Sequence, residues 1–187
     1  MRCLFVALLS GVLLSGCASP SHDPSGTWIN QAAIEAAVES GNLREALQAY
    51  GPNLEWQLDN QRQLASFSNG FERGEGSFEQ ALYSAYLGGT WLIKEGLGEG
   101  ALVLFQADGS LLGLPGAERY ALCLAGDCAA MSGEFDSLWL QLGDQGQSWL
   151  FEREGDQLRV FKALNRSQTD EMPSYYKGQQ RWLLVKR

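Results

Sequence analysis

Leu54-Glu55-Trp56-Gln57-Leu58-Asp59 alternates apolar with polar residues, and that period of two decides how the rest of the chain is read. Alternation of this kind makes a strand with one buried and one wet face. Towards the C-terminus the same reading predicts strands at Leu64–Ser68, Ser77–Tyr86, Thr90–Lys94, Ala101–Gln106, Ser110–Leu114, Arg119–Cys123, Leu138–Leu142, Ser148–Arg153, Gln157–Ala163 and Arg181–Lys186. Asn69-Gly70 is a strong hairpin signal. Asp108-Gly109, Gly126-Asp127, Gly143–Gly146 and Gly155-Asp156 punctuate the series as turns. Turn signals about 8–12 residues apart indicate an antiparallel sandwich or barrel. Leu164–Gln180, with Pro173 and Tyr175-Tyr176, reads as one long loop over a barrel end.

Towards the N-terminus the period changes. Asn30 is an N-cap for a helix over Gln31–Ser40, and Gly41 is its stop. Asn42 with Glu45 has the spacing of a capping box for a second helix, Leu43–Tyr50, which Gly51-Pro52 ends. No later stretch reads as helical. The fold class expected is therefore mainly β, an antiparallel barrel-like or curved sandwich domain over 26–187 with a two-helix N-terminal element.

Four strands depart from simple alternation. Ala101–Phe105, Leu138–Leu142, Trp149–Phe151 and Trp182–Val185 are apolar on both faces, so each needs cover on both sides. The two helices could supply that cover on one outer face, or the strands could line a cavity for an apolar ligand.

Arg2 and the apolar run Leu4–Leu14 have the layout of a secretory signal, too short for a membrane span of roughly 20 residues. Leu14-Ser15-Gly16-Cys17, directly behind it, resembles the bacterial lipobox. That resemblance implies a signal peptide over 1–16 and a diacylglyceryl thioether on Cys17. It also implies a tether over 17–25 that holds the domain on a membrane by lipid. Among such lipoproteins an aspartate after the cysteine implies retention in the inner membrane. Ala18 stands here, so the resemblance implies the outer membrane, with the domain facing the periplasm.

Of the four cysteines, Cys3 leaves with the signal and Cys17 carries lipid, leaving Cys123 and Cys128. They flank a four-residue turn and, in an exported protein, are expected to form a structural disulfide. A redox pair would instead want Cys-x-x-Cys at a helix N-terminus.

Gly-Thr-Trp occurs twice, at Gly26–Trp28 and Gly89–Trp91. It resembles the Gly-x-Trp of the lipocalin family, carried on that family's first strand with a late arginine packed on the indole. Arg181 or Arg187 would be that partner here. The chain departs from the pattern where helices follow Trp28.

Composition limits the functions available. The formal charge is −8, and loss of Arg2 makes it one unit more negative, which argues against nucleic acid and anionic lipid surfaces as electrostatic partners. His22 is the single histidine and lies in the tether, so imidazole-based triads and ordinary zinc sites have no histidine in the domain. Gly96–Gly100 is a glycine-rich turn before a strand, and Glu99 would repel phosphate, so it is no phosphate loop. Glu134/Asp136 and Asp170/Glu171 are the carboxylate pairs that a hydrolase would need, but they read as solvated surface charge. No catalytic residue, metal ligand or cofactor is assigned. Trp91 and Trp139 are the ligand-binding candidates among six tryptophans. The expected function is a non-catalytic binding module for an apolar envelope molecule or another envelope protein. The alternatives are a carboxylate-dependent hydrolase and a purely protein–protein adaptor.

Overall fold

The computed structural model describes residues 27–50, 55–57, 71–73, 77–124 and 126–187. The signal and tether with Cys17 and His22, the Leu64–Ser68 strand and the Asn69-Gly70 turn lie outside the described residues.

The first described element is β1 (Thr27–Asn30), flanked antiparallel by β2 (Glu55–Gln57) and β3 (Phe71–Arg73) in a small three-stranded sheet. Between β1 and β2 come α1 (Gln31–Ser40) and α2 (Leu43–Tyr50), with the bounds the capping residues dictate. The Asn30 side chain accepts from Ala33 N–H, and Gly41 closes α1 in the left-handed conformation at φ 68°. Ala33, Ile34 and Ala37 form the buried stripe of α1.

Ser77–Tyr86 corrects the sequence reading, because it is helical. Residues Phe78–Tyr86 form α3, whose buried side chains Phe78, Leu82 and Tyr86 recur every four residues. Ser77 and Gln80 close a reciprocal capping box. The aromatic, β-prone composition hid a helical period.

Eight strands then form one antiparallel sheet: β4 (Gly89–Gly96), β5 (Leu102–Phe105), β6 (Leu111–Leu112), β7 (Arg119–Leu122), β8 (Asp136–Leu142), β9 (Gln145–Glu154), β10 (Gln157–Asn165) and β11 (Tyr175–Lys186). Their order, β6-β5-β4-β11-β10-β9-β8-β7, is an up-and-down meander curled until its first strand pairs with its last. The remaining edges, β6 and β7, do not share a ladder. One bridge joins them, Ser110 to Arg119, with backbone bonds from Leu111 N–H to Glu118 and from Tyr120 N–H to Gly109. The sheet is thus barrel-like but not continuous at this seam.

Inward residues alternate along every long strand, as period two requires. Trp91 and Ile93 on β4, Phe151 on β9, Leu158 on β10 and Leu184 on β11 are all buried in one core. From α3 an aromatic file runs into the barrel. Tyr83 stacks on Tyr120 at 4.9 Å, and Tyr120 meets Phe105 edge-on at 5.1 Å. Phe105 in turn meets Trp91 at 6.3 Å. The helix therefore stoppers the end of the barrel at which β4 begins.

On the outer face, the described residues cover the two-faced strands unevenly. Leu150 is fully buried, and near it Lys177 lies over the rings of Phe135 and Phe161. Leu102 and Leu112 stay more than half exposed.

Two more readings are corrected. Gly126-Asp127 opens a short helix, α4 (Gly126–Met131), instead of a simple turn. Cys128 lies in it, and its disulfide to Cys123 spans 5.8 Å between Cα atoms, tying α4 to the end of β7. Closing so short a loop contributes about 2 kcal/mol on the chain-entropy argument. The loop expected over Leu164–Gln180 shrinks to 166–174, because Tyr175 and Tyr176 continue the ladder opposite Asn165 and Leu164. Register shifts near Phe161 let the two strands stay paired where a simple period would break.

Candidate binding site at the open end of the barrel

The two ends of the barrel differ in chemistry. At the stoppered end, polar groups serve the fold. Asp136, at the start of β8, caps α2 from across the structure. Oδ2 accepts from Leu43 N–H at 2.7 Å and Oδ1 from Arg44 N–H at 2.9 Å. The Tyr86 hydroxyl lies 2.8 Å from the Gly41 carbonyl and 3.3 Å from Asp136 Oδ2. Arg44 returns the contact, donating to the Ala129 and Gly133 carbonyls and to Ser132. Arg153 is buried, donates to Val38 O and stands 5.0 Å over the Tyr86 ring.

Burial pushes the Asp136 carboxyl above its ordinary value, against the opposing pull of the Leu43 and Arg44 amides. Burial, with Asp136 beside it, also raises the Tyr86 hydroxyl. A cavity of about 440 Å³ opens here, with Glu134, Glu152 and Glu154 in its lining. Both Asp136 oxygens are already engaged by the α2 N-terminus, so this is a clasp between helix and barrel. The surface-charge reading fits exposed Glu134, Asp170 and Glu171 but not Asp136. Among the described residues, no group of three or more His, Cys, Asp or Glu is placed to hold a metal ion.

The other end is where β4 finishes at Gly96. Register places Gly96 opposite Trp182, Trp182 opposite Val160, and Trp149 opposite Lys162. A cavity of about 590 Å³ lies here, within the usual range for small-ligand sites. Its floor is an indole pair, Trp149 and Trp182, with ring centroids 5.1 Å apart. Trp182 Nε1 donates to the Leu97 carbonyl at 3.0 Å. Trp149 is only 6% exposed, and its buried Nε1 has no hydrogen-bond partner among the described residues.

Gly96 allows the close approach of β4 and β11. A Cβ there would meet the Arg181 carbonyl at 2.1 Å, and its φ of 110° is itself hard for other residues. Gln147, Lys162, Gln179, Gln180 and Arg181 supply the polar part of the lining, which contains no carboxylate. Glu95 stands close by, accepting from Gln180 Nε2 at 3.1 Å. The Arg181 guanidinium lies 5.7 Å from the Trp182 ring.

Neither sequence candidate lines this cavity. Trp91 is fully buried, its Nε1 donates to Leu87 O at 2.7 Å, and Lys186 Nζ lies 5.6 Å from its ring. The second Gly-Thr-Trp therefore opens the first barrel strand, with Lys186 on its indole in place of Arg181 or Arg187. Burial, then repulsion from Arg153, lowers the Lys186 amine below its ordinary value. Trp139 is 41% exposed on the outer side of β8, lying over Gly146, where a Cβ would come within 1.8 Å of the ring. It borders a shallow groove with Tyr83 and Arg119.

The mouth had a legible signal, though a quiet one. Gln147 is in phase with buried Trp149 and Phe151, and Lys162 is in phase with buried Leu158 and Val160. Polar residues continuing an inward period mark the place where a barrel interior meets solvent. No protein-family model, curated protein or solved structure matches the chain.

Proposed function

We propose that this chain is a lipid-anchored bacterial envelope lipoprotein whose barrel acts as a non-catalytic binding module, with its ligand seated at the mouth on Trp149 and Trp182. The observation that carries this reading is the indole-floored cavity at one end of an otherwise side-chain-filled barrel. Because the core below is packed, the ligand presents a ring-sized apolar face instead of threading a long chain inward. Anchoring rests on Leu14-Ser15-Gly16-Cys17, and the Cys123–Cys128 disulfide accords with an oxidising compartment. The sorting residue Ala18 favours the outer membrane, with the domain in the periplasm.

Titration of the soluble domain from Ala18 with a neutral naphthylamine probe tests the binding. Saturable binding is expected, weakened by roughly 1–3 kcal/mol in Trp149→Ala as apolar contact is lost. Equal affinity in both proteins, with the fold intact, would contradict it. The anchor is read by mass spectrometry of the mature N-terminus. Diacylglyceryl-Cys17 is expected, and Cys17→Ala should abolish it; an unmodified N-terminus downstream of Cys17 would refute the assignment.

A second reading, contact with another envelope protein, is favoured by the exposed Leu102 and Leu112 on β5 and β6. A filled mouth that binds no small probe would leave that reading in place.

A further inference from the structure

We propose that the barrel mouth selects a ring-bearing carboxylate, whose apolar face lies on Trp149 and Trp182 while its charge is met by Lys162 and Arg181. This rests on the mouth being the binding site and adds the class of ligand.

Charge distribution is the first argument. The chain carries 22 acidic against 14 basic residues, yet the mouth lining holds two cations and no carboxylate. The cavity at the clasp end shows the opposite balance, with Glu134, Asp136, Glu152 and Glu154 around Arg153. Among the other barrel cations, half-buried Arg159 and Lys177 are ion-paired to Glu154 and Glu152, whereas exposed Lys94, Arg119 and Arg166 have no ion pair among the described residues. What sets the mouth apart is that two cations without an ion pair among the described residues, Lys162 and Arg181, share one cavity lining. A positive spot on an acidic protein draws anions to that spot.

The second argument is the position of Lys162. It follows Leu158 and Val160 on the inward face and sits directly opposite Trp149. An apolar residue there would simply extend the core. A long cation beside an indole instead supports binding of an anion that carries a ring.

Third, the lining sets the side-chain amides of Gln147 and Gln179 beside the two cations, donors that suit a carboxylate oxygen or a ring hydroxyl next to it. Glu95 is the carboxylate at the rim, and its bond to Gln180 keeps one oxygen turned to that amide.

Saccharide and aromatic rings both stack on indoles, so the two sources are separated by matched pairs. Equilibrium dialysis of the full-length protein compares N-acetylmuramic acid with N-acetylglucosamine, and 2-naphthoate with 2-naphthamide. In at least one pair the acid is expected to bind about tenfold tighter, the scale of a hydrogen bond to a charged group. The pair showing the larger ratio identifies the ring. Lys162→Gln should lower that ratio and Lys162→Gln combined with Arg181→Gln should bring it close to one, and raised salt should shrink it. Both Lys162 and Arg181 are exposed, so their glutamine variants should melt as the parent does. Equal affinity within both pairs, or an acid preference that survives Lys162→Gln combined with Arg181→Gln, overturns the anion assignment and leaves the binding mouth standing. Failure of every probe to bind overturns both.

Discussion

Replacement of Trp91 by alanine is expected to cost about 3–5 kcal/mol, the largest single-residue loss in the domain. The indole is fully buried where α3 enters β4, and three contacts converge on it. Its N–H satisfies the Leu87 carbonyl at the end of α3, Phe105 meets its edge, and Lys186 from the last strand stands over its face. Removing the ring opens a cavity under the stopper and leaves a buried carbonyl without its donor. Urea unfolding monitored by far-UV circular dichroism measures the loss. A change below about 1 kcal/mol would show that this end of the barrel is not packed as described.

Asp136→Ala is expected to be second, at roughly 2–4 kcal/mol, because the Leu43 and Arg44 amides both lose their acceptor. Asp136→Asn should restore only part of the loss, since an amide offers one oxygen where the carboxylate offers two. The pH dependence carries a definite sign. Burial raises the folded-state pKa of Asp136 above 3.8. Its contribution to stability is therefore fully present below the unfolded value and declines as pH rises through the raised one. The stability difference between parent and Asp136→Ala should widen on acidification from neutral pH towards that window. A difference that narrows would mean that the carboxylate is held ionised, not buried against its charge.

How far the sequence led depended on whether the signal was local. Asn30, Gly41 and the Asn42–Glu45 spacing are short-range hydrogen-bonding patterns, and the two helices stand where they point. Alternating strands such as Gln157–Ala163 were equally readable, because period two records burial of one face. Phe78–Tyr86 was misread because tyrosine and phenylalanine favour strands by composition, while the capping box at Ser77 and Gln80 pointed the other way. The roles of individual tryptophans were not readable from composition alone. Trp91, Trp149 and Trp182 all sit on inward positions, and only register separates the one under the stopper from the two at the mouth. Asp136 was beyond local reading altogether, since its partners Leu43 and Arg44 lie more than ninety residues away.

The mouth as a binding site is tested most directly by the indole region of a ¹H–¹⁵N spectrum of the full-length protein, with its six tryptophans assigned through single Trp→Phe variants. Titration with the tighter-binding of 2-naphthoate and N-acetylmuramic acid should move the Trp149 and Trp182 indole resonances together and saturably, and leave Trp91 in place. Resonances of Trp149 and Trp182 that stay fixed throughout the titration, or movement confined to Trp139, would contradict it.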